Sequence, residues 1–262
     1  MPNIKVTRAE FESYWINRRR RKRRLAAYDP VTALGASLLA WWTADRADLI
    51  TLSGANVTSW KDVKNAYDAV QAVDASRPAY SATSFNGAPG VTFDGTADEL
   101  TLASQPFPSA ANPSEIWIVL QQDALGADAT SRAAFTYGAA ASNQRMVGRA
   151  QGAGSINRGR ASTGDGATSQ NLTATSPDLS SRHLLRAIIG ATETNLEIDG
   201  VLGTPISVVP STGTTRARIG SFAATSASGF WNGKIRDILV TGPLTPTQAD
   251  GLRSFLLPRR SL

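Results

Sequence analysis

The sequence of 262 residues contains no cysteine, and His183 is its one histidine. Disulfides, thiol catalysis and cysteine-ligated zinc are therefore excluded, and so is a zinc site made of several histidines. Long hydrophobic runs are also missing, since no stretch approaches the roughly 20 apolar residues of a transmembrane helix. A twin-arginine export signal at Arg23-Arg24 is disfavoured because Asp29 and Pro30 interrupt the segment that follows. With no Walker A sequence either, we expect no cofactor, no metal and no membrane partner.

What the sequence does contain is a strong segregation of charge. Up to Tyr28 there are nine basic and two acidic side chains, a net charge of +7. The remainder carries 18 basic and 19 acidic side chains, a net charge of −1. Hydrophobic residues make up 42% of the chain, which is ordinary for a folded protein. The sequence therefore indicates a basic N-terminal arm attached to a nearly neutral folded domain.

The arm carries the start signal of a helix, followed by a basic run. Thr7 and Glu10 have the spacing of a capping box, and three aromatic residues then follow at i, i+3 and i+4 on one helical face. A helix from Arg8 to about Tyr28, ended by Pro30, would carry seven consecutive cations that repel one another, so it needs a partner. We therefore interpret residues 1–29 as an anchoring arm that folds against an acidic surface, and a disordered tail is the alternative. The predicted docking residues are Phe11, Tyr14, Trp15, Arg18, Arg19, Arg20, Arg21, Lys22, Arg23 and Arg24.

From about Leu34 onward, short strands are separated by Gly, Pro and Asn. Residues 116–120 are apolar throughout, as in a strand buried on both sides, and Asp199-Gly200 suits a tight hairpin turn. The segment Gly138–Gln170 is low in complexity and is interpreted as long loops within one domain. The predicted strands are Leu38–Trp42, Leu49–Leu52, Val57–Trp60, Val91–Asp94, Glu99–Leu102, Ile116–Leu120, His183–Ile189, Asn195–Asp199, Ile206–Val209, Ala217–Ile219 and Lys234–Val240.

One helix is predicted at the C-terminal end. Thr245, Pro246 and Gln248 combine a cap, a first-turn proline and a capping-box partner. Many short strands with one terminal helix predict an all-β sandwich over residues 30–262.

Several short motifs occur in order between residues 36 and 257. They are Leu39–Asp45, Val57–Asp62, Asn86-Gly87 leading into Val91–Gly95, Leu196–Gly200, Phe230–Ile235 and Leu244–Leu252. Together these motifs resemble the concanavalin A-like lectin/glucanase superfamily, specifically the laminin-G-like jelly rolls of phage and bacterial surface proteins. The resemblance implies a jelly roll of two antiparallel sheets, with sugar bound at the concave face or its rim in lectin-like members. Such a fold does not by itself establish a function.

Catalytic motifs are sparse. Glucanases of that superfamily place their carboxylates on one strand as E-x-D-x-E or E-x-D-x-x-E, and this sequence has no such motif. The nearest spacing, from Glu193 to Glu197, is expected to straddle a turn and a strand. A Ser-His-Asp triad would have to use His183, which opens a predicted strand and is expected to be structural. We therefore expect that the chain is not an enzyme.

Two groups of residues are candidate ligand sites. Asp94, Asp98 and Glu99 are close enough to be weighed as calcium ligands, but Asp94-Gly95 favours turn chemistry with the other carboxylates solvated. Two segments each carry two arginines at alternating positions. If both segments are strands, the two arginines of each segment lie on one face. Paired guanidinium groups suit carboxylated or sulfated polysaccharide. Ordinary solvent-facing arginines are the alternative. The candidate glycan-binding residues are Arg145, Arg149, Arg158 and Arg160.

These observations favour a non-enzymatic virion protein of a tailed bacteriophage, such as a head fibre, a decoration protein or a tail-associated protein. Its basic arm would dock onto an acidic surface of the capsid, neck or tail, and its jelly roll would serve adhesion. A host-surface polysaccharide and a second copy of the chain are further candidate partners. A free carbohydrate-binding module or glycan-processing enzyme is the first alternative. The second is nucleic-acid binding through the arginine run, which offers charge but little base readout.

Overall fold

The computed structural model describes residues 28–64, 66–102, 113–123, 132–138, 144–149, 158–164, 169–207, 216–222 and 229–261. The predicted docking arm, including Phe11, Tyr14, Trp15 and the run from Arg18 to Arg24, lies outside these residues. Within them the fold is all-β, with antiparallel strand pairs and two short helices, so the all-β part of the predicted fold class is confirmed. In the part of the chain that is described, no helix is long and apolar enough to cross a membrane.

The helices are α1, Pro30–Leu34, and α2, Pro246–Leu256. Strands β1 to β9 are Leu38–Thr43, Ile50–Ser53, Asn56–Lys61, Asp68–Val70, Ala79–Phe85, Ala88–Asp94, Leu100–Leu102, Ser114–Gln122 and Arg132–Gly138. Strands β10 to β18 are Gln144–Arg149, Arg158–Gly164, Ser169–Asp178, Arg182–Ile189, Glu193–Ile198, Val201–Leu202, Ile206–Ser207, Ala217–Ile219 and Asn232–Thr241.

The strand pairs fall into two series. In the first series, β18 pairs with β1 and β6 along one edge and with β8 along the other, and β8 continues through β13 to β14. The second series runs β2, β3, β4, β7, β17, β9, β10, β11 and β12. Strand β5 pairs with β6 and joins the two series through the pair Asn56↔Ala79.

Residues of both series belong to the main core cluster, and a second apolar cluster includes residues of α2. Side chains of β8 contribute to both clusters, because neighbouring side chains of a strand point to opposite faces. Ile116 and Ile118 enter the main core with Phe135 of β9, whereas Trp117 packs with Leu252 of α2. The prediction that this strand is buried on both sides is therefore confirmed.

Helix α2 follows its sequence signals closely. Thr245 caps the helix by accepting a hydrogen bond from the Gln248 amide, and the Gln248 side chain accepts one from the Thr245 amide. The predicted hairpin turn is also confirmed, since Asp199 and Gly200 both have positive φ, 55° and 87°.

One sequence interpretation was wrong. The segment interpreted as long loops contains strands β10 and β11 and the first residues of β12. Alternation was hidden there because Gly, Ala and Ser supply little apolar signal. Pro30 begins α1, whose amides at Val31 and Thr32 are capped by the Asp29 carboxylate. Asp29 itself is extended, as expected for the residue before a proline, and the helix predicted up to about Tyr28 lies outside the described residues.

Candidate functional site

Three short strands of the second series share an apolar–polar–apolar pattern. They read Leu100-Thr101-Leu102 in β7, Ala217-Arg218-Ile219 in β17 and Phe135-Thr136-Tyr137 in β9. The flanking apolar residues all belong to the core cluster. Because side chains alternate along a strand, the three central residues lie on the opposite face of the series.

The register aligns these central residues side by side. Arg218 pairs with Thr101 on one side and with Thr136 on the other. We call Thr101, Arg218 and Thr136 the polar row. Antiparallel partners directly opposite each other have Cβ atoms about 5 Å apart, so the three side chains form one continuous patch.

Glu99 and Ser221 lie at the centre of this patch. The Arg218 Nη1 donates to Glu99 Oε2 at 2.9 Å, and the Ser221 hydroxyl donates to the same oxygen at 2.5 Å. The Thr136 hydroxyl donates to the Ser221 carbonyl at 2.9 Å. Arg218 and Glu99 are 12% and 15% exposed, so their ion pair is only partly in contact with water. Arg218 and Thr136 of the polar row are thus held in place by hydrogen bonds to Glu99 and Ser221.

One donor of this cluster has no acceptor. The Nε of Arg218 is buried and, among the described residues, has no hydrogen-bond partner. An unpaired buried donor costs about 1–3 kcal/mol. An oxygen from a bound ligand or a water would recover that cost.

The register extends the patch across the whole series. On one side Thr101 is followed by Val70, Ser59 and Thr51 on successive strands. On the other side the backbone register continues from Thr136 through Met146 and Ser162 to Asn171. The backbone register therefore continues the line of the polar row across the strands of the second series.

The structure does not gather the four predicted glycan-binding arginines on one surface. Arg145 is completely buried and donates from Nη1 to the Ser114 hydroxyl at 2.6 Å and to the Tyr137 hydroxyl at 3.0 Å. Arg160 pairs with Gly148 on the opposite face of the series and is half-buried, and burial lowers its pKa. Arg149 lies in β10 and Arg158 in β11, and their side chains are outside the described part of the structure. The two expected pairs of arginines do not share one surface, because Arg145 and Arg160 lie on opposite faces of the paired strands β10 and β11.

The three carboxylates weighed for calcium also have separate roles. Asp94 accepts hydrogen bonds from the amides of Thr96, Ala97 and Asp98, which is the turn chemistry that the sequence favours. Although burial opposes its ionisation, these bonds lower the pKa of Asp94 to about 2. Burial and the neighbouring Asp94 charge raise the pKa of Asp98 to about 6. Glu99 points instead to Arg218 in the polar row.

The spacing from Glu193 to Glu197 was also misread. Both residues lie in β14, where Glu193 is exposed and Glu197 is buried against Arg186 and Arg253. The polar row was missed for a related reason. Its signal was the single polar residue inside each apolar triplet, but the sequence does not show which triplets are neighbours.

No protein-family model matches the sequence, and no curated protein is significantly similar to it in sequence. Solved structures do share the fold. Domain 4 of AbnA, a GH43 extracellular arabinanase from Geobacillus stearothermophilus, in complex with arabinotriose, matches with a TM-score of 0.56 at 16% identity, over 83% of this chain and 98% of that one. An arabinofuranosidase complexed with arabinofuranosyl-alpha-1,2-xylobiose matches with a TM-score of 0.64 at 11% identity, over 89% and 65%. Trypanosoma rangeli sialidase matches with a TM-score of 0.58 at 13% identity, over 92% and 38%.

The chain thus spans less than two thirds of the arabinofuranosidase and of the sialidase structure. At these identities the similarity concerns the fold, which is a sandwich-like all-β arrangement.

The comparisons contradict the expectation that the chain is not an enzyme. That expectation was drawn from the absence of two carboxylates on one strand, yet structures of arabinan- and sialic-acid-processing enzymes share the fold. Strand pairing also unites groups that are distant in sequence, as where Glu115 and Glu197 both bind Arg186. Carboxylates from different strands can come together without forming a motif in one strand. The absence of such a motif therefore does not exclude glycan processing.

Proposed function

We propose that this chain is a carbohydrate-binding protein with a jelly roll of two facing antiparallel sheets, and that the polar row is its sugar-binding face. The observation that carries the proposal is the alignment of Thr101, Arg218 and Thr136 on the face of the second series opposite the core side chains. Thr101 and Arg218 are partly exposed there, and the fully buried Thr136 supports them by donating its hydroxyl to the Ser221 carbonyl. The two strand series supply the facing sheets, since residues of both enter one core cluster.

The chemistry of the polar row suits a neutral oligosaccharide. An arginine beside a carboxylate offers fixed donors and acceptors at one place, and the partly exposed Thr101 adds a hydroxyl group. Because Glu99 balances the charge of Arg218, the patch has no excess of positive charge to select a polyanion. Neutral sugars are therefore expected to bind better than the carboxylated or sulfated glycans that four clustered arginines would favour.

The structure comparisons suggest the first ligand to try. The arabinanase domain that matches along 98% of its length is in complex with arabinotriose. Short arabinan and xylan oligosaccharides are therefore the first probes, beside sialylated and sulfated glycans as the charged comparison.

Titration calorimetry on the full chain tests the proposal, preceded by a glycan array that selects the best ligand. Thr101→Val keeps the shape of the side chain and removes its hydroxyl, and Arg218→Gln removes the charged donors. Each is expected to weaken binding roughly 3- to 10-fold, as for the loss of one or two hydrogen bonds. Thr83→Val is the matched control, because Thr83 is exposed in β5, which does not pair with any strand of the polar row. Equal affinity for all three variants, or an array without any bound glycan, would refute the assignment.

We also propose that the basic arm docks this domain onto an acidic surface of a virion, with nucleic acid as the competing partner. The support is the contrast between a net charge of +7 up to Tyr28 and −1 over the rest of the chain. Deleting residues 1–27 should abolish association with purified particles and leave glycan binding unchanged. Binding to DNA that is lost steeply with added salt, without any binding to particles, would favour the competing partner.

A further inference from the structure

Ser181, His183 and Asp199 form a continuous hydrogen-bonded chain at one end of β13 and β14. The Ser181 hydroxyl lies 2.7 Å from Nε2 of His183. The other ring nitrogen, Nδ1, lies 2.7 Å from the Asp199 carboxylate. The three residues thus have the order nucleophile, base and carboxylate that defines a serine triad by geometry.

The carboxylate is held in place by two further bonds. The Leu184 amide donates to Asp199 Oδ1 at 3.0 Å, and Arg260 donates to Oδ2 at 2.6 Å. Burial opposes ionisation of Asp199, but the bond from His183, the Leu184 amide and the charge of Arg260 together lower its pKa. Asp199 is therefore an ionised acceptor.

An ionised acceptor decides which ring nitrogen of His183 carries the proton. Nδ1 must donate to Asp199, which leaves Nε2 with a lone pair facing the Ser181 hydroxyl. This is the tautomer that a general base needs. His183 is only 5% exposed, whereas Ser181 is exposed and open to a substrate from solvent.

We propose that Ser181, His183 and Asp199 are a catalytic triad that hydrolyses carboxylic esters. In the first step the Ser181 oxygen bonds to the ester carbonyl carbon while His183 takes its proton. The carbon–alkoxy bond then breaks, and the alcohol leaves with that proton. Water repeats the sequence on the acyl-serine, releases the carboxylic acid and restores the hydroxyl. The proposal does not depend on the polar row, since the chemistry needs no bound sugar.

A fluorophosphonate probe tests the nucleophile directly on the full chain. Attack by Ser181 forms an oxygen–phosphorus bond and expels fluoride, and the modified peptide is identified by mass spectrometry. Hydrolysis of p-nitrophenyl acetate measures turnover in parallel. Asp199→Asn keeps the shape but favours the wrong tautomer of His183, so the hydrolysis rate is expected to fall at least about 100-fold. Ser181→Ala should abolish both labelling and hydrolysis.

The control is Ser180→Ala, which removes the adjacent exposed hydroxyl and should leave labelling and turnover unchanged. Thermal unfolding of each variant establishes that the loss is not caused by misfolding. A wild-type protein that hydrolyses no ester and gains no label at Ser181 would show that the three residues are a structural network. Labelling that survives Asp199→Asn at the wild-type rate would overturn the triad as well.

Discussion

Arg186 stacks over Trp117, with 4.5 Å between its guanidinium carbon and the centroid of the indole ring. The same guanidinium donates two hydrogen bonds of 2.9 Å to Glu115 and one of 2.9 Å to Glu197. Arg253 of α2 adds a second cation to Glu197, with bonds of 2.5 and 2.9 Å. This buried cluster links β8, β13 and β14 to the C-terminal helix.

Arg186→Met should destabilise the fold by about 3–5 kcal/mol, because Glu115 would remain buried without its cation. Urea unfolding measures the free energy. Arg46→Met is the control, since Arg46 and Asp48 form an exposed pair whose loss should leave the free energy of unfolding nearly unchanged. A similar small effect for both variants would mean that the buried cluster contributes little to stability.

Asp98→Asn should change how stability depends on pH. The pKa of Asp98 is about 6 in the folded protein, above the ordinary value of 3.8. The folded state therefore holds a proton more tightly than the unfolded one, and this group makes stability fall as pH rises from about 4 to 6. The variant cannot lose stability in this way. Its free energy of unfolding relative to that of wild type should therefore be higher at pH 7.5 than at pH 4.5, as measured by urea unfolding at the two pH values. Asp68→Asn, on an exposed aspartate, should follow wild type at both pH values.

Gly148→Ala should destabilise the second series by roughly 1–3 kcal/mol through overpacking. A Cβ atom at Gly148 would lie 2.0 Å from the Arg132 carbonyl oxygen and 2.8 Å from the Ala133 Cα. Because these distances are too short for a Cβ atom, the backbone of β9 would have to move. The register between β9 and β10 already shifts at this point. Gly242→Ala meets no atom within 4 Å and should change the unfolding free energy by less than about 0.5 kcal/mol. Equal urea midpoints for the two variants would contradict the close packing of β9 and β10.

A chain that begins at residue 28 should unfold at the same urea concentration as the full chain. Tyr28 packs against Phe255 with ring centroids 5.6 Å apart, and Leu34 is only 3% exposed. A chain that begins at residue 36 loses both side chains and should be less stable by about 2 kcal/mol or more. If the longer truncation were as stable as the full chain, α1 would not belong to the folded unit.

The sequence predicted elements well where the signal was local. The capping box of Thr245 and Gln248 and the turn at Asp199-Gly200 depend on neighbours a few residues apart, and both are present. In β10 and β11 the arginines alternate, but the small residues around them give too weak an apolar pattern to predict strands. What could not be derived was the order of strands, because pairing between β7, β17 and β9 joins segments more than 80 residues apart.

The same limit explains the candidate sites. Arg145 resembled a surface ligand because its role depends on Ser114 and Tyr137, which lie on other strands. The sequence does not single out His183 as a triad base, because only the folded hairpin places Asp199 against its ring. Both cases concern contacts that the chain makes after folding back on itself.

The position of β18 has a consequence for synthesis. Trp41 of β1 bonds to Asp237 of β18 across 196 residues of sequence. At translation speeds of about 5–20 residues per second, β1 would wait roughly 10–40 s on the ribosome for this partner. During that time the apolar side chains of β1, β6 and β8 lack the central strand that joins them. A nascent chain stalled before residue 232 is therefore expected to need a chaperone, and a bound holdase would mark the interval until β18 emerges.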